Sequence, residues 1–203
     1  MKKTFTEIYE KNRWRDSESR SGPGSNLANT EAIRAALPNV LKEMGIRSVL
    51  DIPCGDFYWM KEMQTDLDMY IGADIVKRIV DDNTVKYSGD KRRFMVLDIA
   101  RDALPAVDLV FCRDCFVHFS FDDIRRAFRN LKRSGSRYLL TTTFTDTGEN
   151  RDIVTGKWRP LNLQKAPFHL PEPIMIIYEN YTGEDGRYGD KSLGLWNIRD
   201  IAW

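Results

Sequence analysis

The sequence predicts an α/β fold: a parallel sheet covered by helices on both faces and closed by an antiparallel hairpin. Three observations carry this. From residue 46 onward, short apolar β-type runs alternate with helical patterns, which is how a parallel sheet is threaded. Successive runs end in an acid or are followed closely by one, at Asp51, Asp74, Asp98 and Asp114. The last two apolar runs are joined by a Gly- and Asp-rich connection too short for a helical crossover, so they form a hairpin.

The elements follow in order. Thr4 and Glu7 form a candidate capping box, and Phe5, Ile8 and Tyr9 give an amphipathic helix ending near Trp14. Residues 16–29 are rich in Ser, Gly and Asn and read as a loop. A helix pair follows: Ile33 and Leu37 mark its first part, and Pro38 restarts the second, with Val40, Leu41 and Met44 on one face. Gly45 stops it. "RSVLDI" is the first strand, and "FYWMKEM" begins a helix. "MYIGADI", "RFMVLDI" and "VDLVFC" are the next three strands. Ser120 and Asp123 cap a helix whose apolar positions are Ile124, Ala127, Phe128 and Leu131, and Gly135 closes it. "SRYLLTTTF" is the fifth strand. Residues 146–173 are polar, hold four prolines and read as an ordered loop or lid. "IMIIYEN" and "SLGLWNI" form the hairpin. The expected organisation is one domain, 1–203, with an N-terminal helical cap over 1–45 and a core over 46–203.

Composition narrows the functional classes. A chain of 203 residues, 42% hydrophobic and 30% charged, supports one sizeable core. Its 31 basic and 30 acidic residues create no overall field toward nucleic acid or membrane. No apolar run approaches the ~20 residues of a membrane span, and the amino terminus lacks the apolar centre of a signal peptide. Three cysteines, Cys54, Cys112 and Cys115, fit reduced thiols in a cytoplasmic protein better than a disulfide framework. Cys112 and Cys115 have C-x-x-C spacing, yet no second ligand pair accompanies them, so buried structural thiols are expected and no metal. The basic runs at Lys91, Arg92 and Arg93, and at Arg125 to Arg133, read as solvated faces rather than an RNA-binding surface.

Ligands of an open parallel sheet bind outside the carboxyl ends of its strands, where these acids fall. A single such Asp commonly caps a helix or makes a turn; four in successive units suggest an adenosine-type ligand. Asp74 lies about twenty residues past the first turn, where an acid accepts from ribose hydroxyls. Gly55 lets backbone approach the ligand. Asp98 can accept from an exocyclic amine while Ile99 packs on the base. Asp51 and Asp56 bring negative charge to the turn, which suits a cationic ligand and opposes a pyrophosphate.

On these residues the chain resembles a known family. "VLDIPCGDFYWM", "YIGADI", "FMVLDI" and "VDLVFCRDCFVHFS" are similar to successive motifs of the class I S-adenosylmethionine-dependent methyltransferases, over roughly residues 47–203. The resemblance implies a Rossmann-like, seven-stranded, mostly parallel sheet ending in an antiparallel hairpin, with S-adenosylmethionine as cofactor. It matches Asp74 to the family's ribose-binding position and Asp98 and Ile99 to its adenine-binding region, and Asp51, Pro53, Cys54, Gly55, Asp56, Trp59, Ile75 and Arg113 are the further candidate cofactor contacts. Pro53 and Asp56 depart from the family pattern, standing where glycines are usual.

Methyl transfer asks the protein mainly to align the acceptor and, for a hydroxyl, to take its proton. Asp114 and His118 are the candidate catalytic bases, with Arg113 able to orient an acceptor. The structural alternative makes Asp114 a turn residue and packs His118 between Phe116 and Phe119. Trp14, Ser25 of the "SGPGS" loop, Trp158, Arg159, Asn162 and Phe168 are the substrate candidates, since rings and polar groups suit a sugar or another small polar molecule. They would equally serve as packing of a closed lid, and the "SGPGS" amides could hold the cofactor's amino-acid end. The expected function is O-methylation of a sugar, glycan or small polar acceptor. A non-catalytic nucleoside- or partner-binding module and a nicotinamide-dependent oxidoreductase are the alternatives.

Overall fold

The computed structural model describes residues 1–202; Trp203, the last residue of the resemblance, lies outside the described residues. Two helices, α1 (Lys2–Glu10) and α2 (Glu31–Glu43), precede β1 (Ser48–Asp51) and β2 (Met69–Asp74). Then come α3 (Lys77–Tyr87), β3 (Arg92–Val96), β4 (Leu109–Cys112), α4 (Phe121–Ser134) and β5 (Tyr138–Phe144). The hairpin β6 (Met175–Tyr178) and β7 (Lys191–Asn197) completes a seven-stranded sheet of order β3-β2-β1-β4-β5-β7-β6. The first five strands pair in parallel, and β7 is antiparallel to both β5 and β6.

Alternation along the strands builds two cores, because successive side chains leave opposite faces. Leu50, Val110 and Leu139 pack with Ile124, Ala127, Phe128 and Leu131 of α4. Val49, Leu109, Phe111 and Leu140 pack with Ile33, Leu37, Val40 and Leu41 of α2 on the other face, joined there by Val80 of α3. Helix α4 forms as its sequence dictates: Ser120 Oγ accepts from the Asp123 N–H at 3.2 Å, and Gly135 ends it at φ 74°.

Three local expectations are corrected. Thr4 and Glu7 lie inside α1, which starts at Lys2 without a side-chain cap. The helix stops at Glu10, and Asn12 just beyond it takes a left-handed φ of 43°, which keeps Trp14 out of the helical path. The expected helix pair is one helix, with Pro38 inside α2. A proline there costs about 3 kcal/mol, but burying four apolar side chains on one face contributes roughly 1.5–3 kcal/mol each. The helix expected from "FYWMKEM" is only a 3-10 turn at Met60–Glu62. Phe57 is left-handed there (φ 57°), and its ring packs against Tyr70, Tyr87 and Phe94 at 5.2–5.3 Å.

The amino-terminal segment lies across the carboxyl edge of the sheet. Tyr9 packs with Val76 and Ile79 at the start of α3, while Phe5 meets Phe119 after β4 at 5.9 Å. Helix α1 therefore bridges the loops on the two sides of the point where strand order reverses, between β1 and β4.

Candidate functional site

Beneath that bridge lies a cavity of about 430 Å³. The ends of β1, β2 and β4 and the turn after β3 converge on it, so every residue assigned to the cofactor from sequence lines it: Asp51, Pro53, Cys54, Gly55, Asp56, Trp59, Asp74, Ile75, Asp98, Ile99 and Arg113. The acids differ in what they have left to offer. Asp51 is buried and accepts from the Tyr70 hydroxyl; burial raises its carboxyl to about 7, against the pull of that hydrogen bond. Burial likewise raises Asp74 to about 6, although the Val76 and Gly55 N–H groups donate to it at 2.8 and 3.3 Å. Asp98 accepts from the Ala100 N–H at 3.0 Å and sits in the turn after β3.

Asp56 lines the cavity and also binds the amino-terminal loop. Its carboxylate accepts from Ser19 Oγ at 2.9 Å, from the Arg20 N–H at 2.9 Å and from Ser21 Oγ at 3.2 Å, so it anchors the amino-terminal loop to the turn. The reason is local. Gly55 is left-handed (φ 53°), and a Cβ on it would stand 2.2 Å from Ser21 Oγ. Only glycine admits the loop this close.

The turn after β4 holds a buried network of charge. Arg113 donates through Nε and Nη2 to Glu179 at 3.1 and 2.7 Å, and through Nη2 to the Gly24 carbonyl at 2.7 Å. Lys191 Nζ reaches Asp114 at 2.7 Å and Glu179 at 3.1 Å. Burial alone would raise the Asp114 carboxyl, but Lys191 and Arg113 outweigh it and hold the group down at about 2. A carboxylate so paired is a poor proton acceptor. Arg113 is equally committed and has no spare fork for a ligand carboxylate.

His118 is held differently. Its Nδ1 lies 3.0 Å from the Lys157 carbonyl, which can only accept, so Nδ1 carries the proton and Nε2 the lone pair. Burial lowers its pKa below the ordinary value. Its ring lies 5.5 Å from that of Trp14 at the cavity wall. Cys54, Cys112 and Cys115 are buried and free, and burial pushes the Cys54 and Cys115 thiols up. Among the described residues, no group of His, Cys, Asp and Glu gathers to hold a metal, and no helix is long and apolar enough to cross a membrane.

The acceptor candidates divide. Trp14, Ser25 and Trp158 line the cavity. Arg159, Asn162 and Phe168 do not, and each has a structural position instead. Arg159 is buried and donates to the carbonyls of Phe116, Phe119 and Arg151 at 2.7–3.2 Å, and burial lowers it to about 10. Asn162 donates to the Thr145 and Thr147 carbonyls, both at 3.1 Å. Phe168 packs on Phe121 and Phe128. Sequence reasoning missed Phe144, Tyr181, Tyr188 and Lys191 of the lining and Glu179 behind it. Glu179 and Lys191 carried one signal: charged residues at the inner ends of two apolar strands.

Neither a protein-family model nor a curated protein sequence matches the chain. Solved structures do. The methyltransferase domain of bacterial CtHen1 is 10% identical and superposes with a TM-score of 0.60 over 85% of this chain and 98% of that one. The N-methyltransferase NodS from Bradyrhizobium japonicum, in complex with S-adenosyl-L-homocysteine, is 12% identical with a TM-score of 0.55, over 70% and 74%. Magnesium protoporphyrin IX methyltransferase from Synechocystis, with the same ligand, is 15% identical with a TM-score of 0.52, over 73% and 74%. With the strand order and the closing antiparallel hairpin, these likenesses show that the chain has the class I S-adenosylmethionine-dependent methyltransferase fold.

Proposed function

We propose that the cavity binds S-adenosylmethionine and that the chain is a methyltransferase acting on an oxygen of a small polar acceptor such as a sugar. The residues present fit that cofactor. Carboxylates at Asp51, Asp74 and Asp98 face the cavity, which suits a cationic adenosine derivative and opposes a pyrophosphate. Asp74 would hold the ribose hydroxyls, and Asp98 with Ile99 the adenine. Bound there, the cofactor supplies a methyl group on a positively charged sulfur.

The observation that carries the oxygen acceptor is the state of His118. With Nδ1 donating to Lys157, its neutral ring presents an unprotonated Nε2 at the cavity wall and can take the proton an acceptor hydroxyl loses. Asp114, held ionised by Lys191 and Arg113, has the geometry of a support rather than a base. Trp14, Trp158, Tyr181 and Tyr188 offer ring faces and polar tips on the same wall, which supports a ring-bearing polar acceptor.

Calorimetry and donor turnover test this together. S-adenosylmethionine and its demethylated product should bind the wild-type chain. His118→Ala should keep that affinity while donor turnover, screened against sugars and other small hydroxyl compounds, falls on the order of 10²–10⁴-fold. No binding of either ligand sinks the cofactor assignment. Unchanged turnover in the variant removes His118 from the reaction.

A further inference from the structure

The buried charge network below the amino-terminal loop invites a second assignment. Arg113, Asp114, Glu179 and Lys191 carry two charges of each sign, and the side chains of Arg113, Glu179 and Lys191 are at most 7% exposed. Buried ion pairs contribute little net stability over apolar packing of the same volume. What this network does is join four remote segments: the β4 turn, the two inner ends of the β6–β7 hairpin, and the loop of residues 21–25. Glu179 and Lys191 are held opposite each other, with the Glu179 N–H donating to the Lys191 carbonyl at 3.0 Å. From there Glu179 fixes the Arg113 fork, and Arg113 grips the Gly24 carbonyl. Gly24 fits tightly against the same network, since a Cβ there would lie 3.0 Å from Asp114 Oδ2 and 3.5 Å from Lys191 Nζ.

We propose that Glu179 and Lys191 are positioning residues, which act through Arg113 and Asp114 to latch the 21–25 loop down as the roof of the cofactor cavity. The inference rests on the proposed cofactor reading for its role in binding, though the latch itself is a property of the free chain. Asp56 pins the loop at its other end through Ser19, Arg20 and Ser21, so the roof is held at two points, residues 19–21 and Gly24. Releasing one point should loosen the roof without unfolding the sheet. Cofactor affinity should fall, while the chemistry beside His118, once the cofactor is bound, should change little.

Two variants test it from opposite directions. Glu179→Gln weakens the grip on Arg113 by removing a charge. Gly24→Ala keeps all four charges and loosens the loop by crowding Asp114 Oδ2, 3.0 Å from the added Cβ, so it answers the question even where the first variant folds poorly. Both should raise the dissociation constant for S-adenosyl-L-homocysteine and the donor KM about tenfold, a loss of about 1.4 kcal/mol, with kcat within about threefold. Trypsin should cleave the ligand-free variants faster than wild type after Arg20, exposed at the edge of the roof loop. The double variant should be no looser than the looser single one, because both act on one contact. Wild-type trypsin rates and affinity in Gly24→Ala would overturn the latch, as would a Glu179→Gln effect confined to the global urea midpoint. Should wild type fail to bind S-adenosyl-L-homocysteine, the cofactor reading falls, and the trypsin rates still decide the latch.

Discussion

Asp51 shows how one buried residue sets a pH dependence. Its carboxyl stands at about 7 and that of Asp74 at about 6, both above the ordinary 3.8 because burial penalises the charge. The folded chain thus keeps protons that the unfolded chain has already released, and these groups cost stability as pH rises through that window. A cationic ligand reverses the preference, since it favours the ionised forms. Affinity for S-adenosylmethionine should therefore weaken as pH falls below about 7, by up to tenfold per unit for each group. Asp51→Asn should remove the upper part of that profile and leave the step near 6. Calorimetry between about pH 5 and 8 checks this, and a flat profile would remove both carboxylates from the cofactor contact. These acids were legible in the sequence because a strand end is a local pattern. The positions of Arg159 and Asn162 were not, because nothing in composition says whether a polar group faces a cavity or bonds a distant backbone.

Among the elements, α4 is the one whose local chemistry and tertiary packing agree most fully. Ser120 caps it, Asp122 and Asp123 sit in its first turn, Lys132 and Arg133 in its last, and its four apolar positions are completely buried. Ser120→Ala should cost about 1 kcal/mol, and Gly135→Ala about 1–2 kcal/mol because φ is 74° there. Urea unfolding measures both, and a change below about 0.3 kcal/mol for Ser120→Ala would show that the cap hydrogen bond is not formed. Agreement of this kind is why α4 could be read residue by residue. Where it fails, prediction fails with it. Pro38 argued a break that the buried face of α2 overrode, and the segment after β1 folds into a turn in which the Phe57 ring finds partners on β2 and β3 rather than along a helix.

At the scale of the molecule, the strand order places the crevice between β1 and β4, and the segments on either side supply the two halves of its lining. Alternation and the closing hairpin gave the parallel sheet with its antiparallel end, and the order of its strands comes from the structure. So does the roof, since it depends on contacts such as Arg113 to Gly24, 89 residues apart in the chain. Because the roof and the floor both contact the cavity, ligand binding should register in the stability of the whole chain. A ligand at 100 times its dissociation constant stabilises the folded state by about 2.7 kcal/mol. For a chain of this length each kcal/mol raises Tm by about 2–4 °C, so S-adenosyl-L-homocysteine should raise it by roughly 5–11 °C. NAD should produce no comparable shift. Its pyrophosphate would meet the carboxylates of Asp51 and Asp56 around a lone Gly55, whereas a cationic cofactor is drawn by the same charges. Differential scanning fluorimetry with S-adenosylmethionine and NAD at equal concentration distinguishes them. A larger shift with NAD would reverse the electrostatic argument on which the cofactor assignment stands.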